Sequence, residues 1–267
     1  MSDPFTAAGF NLHEQGDWER LALMTAGQGN PINAGRITYQ RWRLDCGVEL
    51  WAHVKGAGSV VGMSIHFDGR ARFNARLVKR LPRKSPFDIA VGAWAFDTIS
   101  AGNTSDKHDT LPGDFPFVFD APDGATYRTL SLPQITEIQL AAFAFEVSTY
   151  PTEAAFAAAQ QQNETPLAAR AFIPTSAFAQ TSNAPPASAL LAGVVLQTEQ
   201  LENRVGGSPF TWARLETYGG EVDIIAAPKT IAGDVVTGGV LHGSFWLSGR
   251  VTDGQRRKPG FMERLAG

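Results

Sequence analysis

From residue 35 onward, apolar and polar positions alternate with a period of two. Over 48–55, Val48, Leu50, Ala52 and Val54 share one face, while Glu49, Trp51, His53 and Lys55 share the other. Side chains of a strand point alternately to opposite faces, so this pattern predicts a half-buried strand. Cys46-Gly47 predicts a hairpin turn back to a strand over 37–45. A third strand is read over 60–67. Asp68-Gly69 then signals a second hairpin, because a two-residue turn of the favoured type needs positive φ at both positions. The next strand sets Phe73, Ala75, Leu77 and Leu81 against Arg72, Asn74, Arg76 and Arg80. A fifth strand is read over 87–96. Phe115-Pro116-Phe117-Val118-Phe119 suggests an edge strand, since proline gives no ladder donor.

Helical signals are few. Residues 17–24 predict one or two turns, with Trp18 and Leu21 on one side. Thr152 caps a clearer helix, with Glu153 in its first turn and strong formers to residue 162. The apolar run 136–147 fits either a helix or a buried strand, and its phenylalanines favour the strand. Four strands follow over 191–199, 210–217, 221–226 and 240–251, with Gly206-Gly207 and Gly219-Gly220 as turns. The expectation is a mainly β protein with few short helices and two β-rich units, each a sandwich or barrel. An N-terminal segment spans 1–35 and the first unit 36–173. A Pro- and Ser-rich linker covers 174–188, the second unit 189–251, and a basic tail 252–267. No repeat of fixed period is visible.

Composition narrows the class. The chain has 267 residues, among them 27 Gly, 16 Pro, 17 Phe and 6 Trp. That aromatic content argues for a packed core rather than disorder. Cys46 is the lone cysteine, which excludes an internal disulfide and cysteine-based zinc sites. No charged n-region followed by an apolar stretch opens the chain, and no apolar run reaches the roughly 18 residues of a membrane span. These features predict a cytoplasmic protein without membrane contact. No cofactor is implied.

Charge is unevenly spread. Arg70, Arg72, Arg76, Lys79, Arg80, Arg83 and Lys84 fall within fifteen residues without an acid, although the chain carries net −3. Such a segment fits a polyanion contact or the guard of an exposed edge strand. Elsewhere, aromatic and basic residues interleave: Trp51 and His53 face Tyr39 and Arg41 across the first hairpin, and Trp212 and Arg214 lie on one strand face. Arg72, Arg76, Arg80, Trp51, His53, Trp212 and Arg214 are therefore the candidate ligand-binding residues.

Residues 193–251 resemble an OB-fold. A glycine opens the first strand at Gly193-Val194-Val195-Leu196, a glycine turn sits at Tyr218-Gly219-Gly220-Glu221, and the last strand runs Gly239 to Leu247. The resemblance implies a small barrel that binds single strands or sugars on its strand faces. The chain as a whole resembles a bacterial protein family, a likeness that implies no activity.

Catalytic signals are sparse. Ser64, His66 and Asp68 alternate on one strand, but neighbours on one face lie about 6.6–6.8 Å apart, too far for a hydrogen-bonded triad. His66 and Asp68, with His108 and Asp109 from the long polar loop 97–114, form a candidate metal set for assisted hydrolysis. The nucleotide-loop, zinc-protease and nucleophile-elbow motifs are absent. The sequence thus favours a non-catalytic binding protein whose partner is a protein or small ligand. Single-stranded nucleic acid and metal-assisted hydrolysis stand as alternatives.

Overall fold

The computed structural model describes residues 3–56, 58–96, 113–161, 163–175 and 185–252. It is mainly β, with two sheets and a few short helices. The first sheet is antiparallel and runs in chain order: β1 (Asn30–Ala34), β2 (Ile37–Arg43), β3 (Val48–Lys55) and β4 (Ser59–Phe67). The second contains β5 (Phe73–Pro82), β6 (Ile89–Ala95), β7 (Pro116–Ala121), β8 (Gln134–Tyr150), β9 (Ala171–Pro174), β10 (Ser188–Asn203), β11 (Ser208–Thr217), β12 (Gly220–Ala226), β13 (Ile231–Ala232) and β14 (Val240–Val251). The helices are α1 (Pro4–Ala7), α2 (Gln15–Gln28) and α3 (Glu153–Gln160).

The second sheet closes into two rings that share one strand pair. In the first, β5, β6 and β7 connect through β14 and β8 back to β5. In the other, β10, β11 and β12 connect through β8 and β14 back to β10. The connectivity repeats. Three antiparallel strands lead through a 3-10 turn (Gly124–Thr129 or Pro228–Thr230) to a long strand, β8 or β14. Each long strand runs antiparallel to the first strand of its own set and parallel to the third strand of the other. The strands expected to stand alone over 189–251 therefore complete their ring with β8. One continuous core fills both rings, and Ile138, Leu140, Ala142 and Ala144 on the inner face of β8 contribute to it throughout. Ala141 and Phe143 on the outer face are buried too, beneath α1 and the first sheet. Burial on both faces removes the alternating pattern, which is why 136–147 reads ambiguously in sequence.

Several local expectations change. Asp68-Gly69 makes no hairpin: β4 belongs to the first sheet and β5 to the second, so the turn is a crossing between sheets. Asp123-Gly124 opens a 3-10 turn. The strand over 115–119 is not an edge, because β7 lies between β6 and β14, and Pro116 is its first residue. The basic strand β5 also lies inside the sheet, between β8 and β6, which overturns the edge-guard reading. Helix α2 extends to four turns, its start held by Asp17 Oδ2 accepting from the His13 and Glu14 backbone N–H groups at 3.0 and 3.1 Å. Thr152 caps α3 as expected, accepting from Ala155 N at 3.1 Å.

Candidate functional site

The chemistry gathers where the first sheet lies on the outer surface of the rings. Strand pairing sets Tyr39 opposite His53, and His53 opposite Gly62. It also aligns Arg41, Trp51 and Ser64, and in the next row Arg43, Glu49 and His66. Val48, Leu50, Ile65 and Phe67 point the other way into an apolar cluster with Phe5, Phe10 and Leu21. Strand β3 is therefore buried on both faces rather than half-buried. Its polar face meets β14.

One end of this interface is a charge network. Arg250 reaches Glu49 and Asp123, and its guanidinium lies 4.9 Å from the Trp51 ring centre. Arg41 donates to the same glutamate and lies 5.6 Å from the same ring. Trp51 Nε1 completes the shell by donating to Glu49 Oε2 at 3.2 Å. Buried carboxylates need such compensation, because desolvation of an ion costs several kcal/mol. A further buried carboxylate, Asp223, accepts from Arg70 N, Ala71 N, Gln139 Nε2 and Trp212 Nε1 at 2.8–3.3 Å. Burial still pushes its pKa above the ordinary value.

The other end opens into a cavity of about 720 Å³. Phe5, Met63, Ile65, Ile89, Pro122 and Trp246 make its walls mainly apolar, and Ser64, Ser248, Asp88, Asp120, Arg83 and Lys84 add polar groups. Asp120 is fully committed: Arg83 donates to Oδ1 from Nε and Nη2 at 3.0 and 2.9 Å, and Trp246 Nε1 donates to Oδ2 at 2.8 Å. Asp88 is more open, its side chain 46% exposed. Its pKa is raised by partial burial and by the nearby Asp120 charge.

Both serines are backed by a buried histidine. Ser248 Oγ lies 2.9 Å from His66 Nδ1, and it also donates to the Ile65 carbonyl at 3.4 Å. Ser64 Oγ lies 3.3 Å from His53 Nε2. The other ring nitrogen, His53 Nδ1, lies 3.8 Å from Asp88 Oδ1. The His53 ring stacks on Phe87 at 5.0 Å and meets Tyr39 edge-on. Burial lowers the pKa of His53 to about 4 and that of His66 to about 3, so both are neutral at pH 7.

The structure scatters the residues expected to bind ligands. Trp51 and His53 reach this interface, behind the cavity wall. Trp212 is buried and spent on Asp223, and Arg214 faces Glu221 at 3.6 Å. On β5, Arg80 donates to the Tyr127 and Leu130 carbonyls and Arg76 is half-buried, and just before the strand Arg72 Nε lies 3.4 Å from Glu137. Of the expected metal ligands, His66 is engaged with Ser248 and Asp68 accepts from Arg43 at 2.8 Å, while His108 and Asp109 lie outside the described residues. Among the described residues, no three His, Cys, Asp or Glu side chains converge as a metal site. No helix among them is long and apolar enough to cross a membrane.

Sequence reasoning missed Asp88, Asp120, Ser248 and Arg250, and it did not bring Ser64 together with His53. The available signal was the pair of glycines, Gly56 and Gly58, between β3 and β4, whose antiparallel register brings Ser64 diagonally across from His53. Comparison with known proteins returned no match to a family model, a curated protein or a solved structure.

Proposed function

We propose that this protein binds a small, mainly apolar molecule between its two sheets. The observation that carries this reading is the cavity itself. Its volume of about 720 Å³ falls within the roughly 300–1,000 Å³ of small-molecule sites, and its apolar walls enclose a few polar groups. Apolar burial supplies the affinity, and the Ser64 hydroxyl with Lys84 sets the orientation. A ligand with an acceptor oxygen, such as a carbonyl or carboxylate, matches these donors. The basic segment supports a nucleic-acid reading less well than its sequence implies, because Arg72 and Arg80 already serve Glu137 and main-chain carbonyls.

Trp246 lines the cavity and serves as a reporter. Titration with an apolar fluorescent sulfonate should give saturable one-to-one binding and a change in tryptophan emission. Ser64→Phe, which fills the cavity from a partly exposed position on β4, should abolish binding with the thermal melt retained. Unchanged binding in that folded variant would place the ligand elsewhere.

A further inference from the structure

Ser64, His53 and Asp88 stand in an order that a binding pocket alone does not require. The serine oxygen meets Nε2 of the imidazole, and the carboxylate stands on the Nδ1 side, at 3.3 and 3.8 Å. A hydrolytic triad is recognised by these roles and geometry rather than by fold or sequence order, and its contacts are often looser without substrate. Ser64 and Asp88 both line the cavity. The imidazole is held by stacking on Phe87, and the missing Cβ of Gly62 would lie 3.0 Å from Nδ1, so a side chain there would press on the ring. Ser248 is the weaker candidate: it is fully buried, and its hydroxyl is shared between His66 and the Ile65 carbonyl.

We infer that Ser64, His53 and Asp88 form a hydrolytic site for carboxylic esters with an apolar acyl group, an inference that rests on the cavity being a small-molecule site. Asp88 favours the tautomer with its proton on Nδ1, which leaves Nε2 free to act as base. Ser64 Oγ bonds to the ester carbonyl carbon, the carbonyl π pair moves to its oxygen, and the serine proton passes to Nε2. As the oxyanion collapses, the bond to the alkoxide breaks. The leaving oxygen takes the proton from Nε2 and departs as the alcohol. Water then attacks the acylated Ser64 and gives a proton to Nε2. Collapse releases the carboxylic acid and returns that proton to Ser64. Lys84, on the same cavity, supplies positive charge to the developing oxyanion. Burial keeps His53 neutral and weakly basic, which suits esters with good leaving groups better than amides.

The test uses the full chain with p-nitrophenyl butyrate and, separately, an alkyl fluorophosphonate, with peptide mapping of the modified residue. The expected results are saturable hydrolysis and one phosphonyl group on Ser64. Ser64→Ala should lose the labelling, and Ser64→Ala and His53→Gln should each lose about 100-fold or more in kcat. Asp88 acts through His53 and is a positioning residue. Asp88→Asn should therefore lower kcat by about 10-fold or more at constant KM, and Asp88→Glu should recover part of it. Thermal melts of each variant separate lost chemistry from lost fold. Labelling at another serine, or hydrolysis unchanged in folded Ser64→Ala, would overturn the inference. Sulfonate binding without labelling or turnover would also overturn it while leaving the cavity reading intact. Absence of sulfonate binding, labelling and turnover together would remove both.

Discussion

Arg250 on β14 donates from Nη1 to both carboxylate oxygens of Glu49 on β3, at 3.3 and 3.1 Å. Glu49 is fully buried and the Arg250 side chain is 8% exposed, so this contact fastens the first sheet to the rings out of reach of water. Removing one partner of a buried pair leaves the other without compensation, at about 3–5 kcal/mol. Glu49→Ala should lower the urea-unfolding free energy by that amount. Arg250→Met should also destabilise, and the double variant should lose at least about 1 kcal/mol less than the sum of the two. Additive losses would show that the two side chains act independently.

The buried histidines make stability fall in mild acid. Their folded pKa values, about 4 for His53 and about 3 for His66, lie below the ordinary 6.5. Above pH 6.5 neither folded nor unfolded chain holds these protons, and the full stability is present. Below it the unfolded chain takes up protons that the folded chain refuses. Stability then drops by up to about 1.4 kcal/mol per pH unit for each histidine, until the folded values are reached. Asp88 and Asp223 have raised values and act in the opposite sense. Across the window from pH 6.5 to 5 the histidine contribution is therefore read as the difference between parent and variant. Denaturant melts across it should show the loss, and His66→Gln should flatten its slope.

The cavity carboxylates are electrostatically linked. The Asp120 charge helps hold Asp88 above the usual carboxylate range, while Arg83 opposes it. Asp120→Asn removes the repulsion and releases Arg83 from its ion pair. Both changes favour the ionised form of Asp88. Carboxyl carbon NMR across pH should show the Asp88 midpoint move down in Asp120→Asn. A midpoint that stays or rises would mean that burial alone sets it.

Much of this architecture was legible in local pattern. Strands β3 and β14 fall at the expected 48–55 and 240–251, because alternation or an apolar run bounded by turns marks a strand wherever it pairs. Partnership was not legible. Asp68-Gly69 has the residues of a hairpin turn, but turn chemistry does not encode whether the next strand returns to the same sheet. The repeated connectivity of the rings leaves no sequence repeat, since a strand demands only alternation and suitable volume, which many residues meet. The site shares this limit. Ser64 and His66 are two residues apart in sequence, while the imidazole that reaches Ser64 comes from β3 and the carboxylate from the loop before β6. The basic stretch looked free to meet a polyanion because the carbonyls that hold Arg80 lie about fifty residues further on.

Gly69 shows how tightly that sheet crossing is packed. Its missing Cβ position overlaps the Asp223 carboxylate, on backbone that does not require positive φ. The carboxylate has nowhere to move, because two backbone N–H groups, Gln139 and Trp212 hold it. Gly69→Ala must therefore displace the crossing or break those bonds, and a cost of about 3 kcal/mol is expected, the upper end of ordinary overpacking. Gly27 is the contrast. It lies in α2, with nothing within 4 Å of its missing Cβ position. There alanine removes only unfolded-state freedom and should stabilise by about 0.5–1 kcal/mol. Urea melts of the two variants should shift in opposite directions. A Gly69→Ala protein as stable as the parent would show that the Asp223 network tolerates displacement and does not pin the crossing.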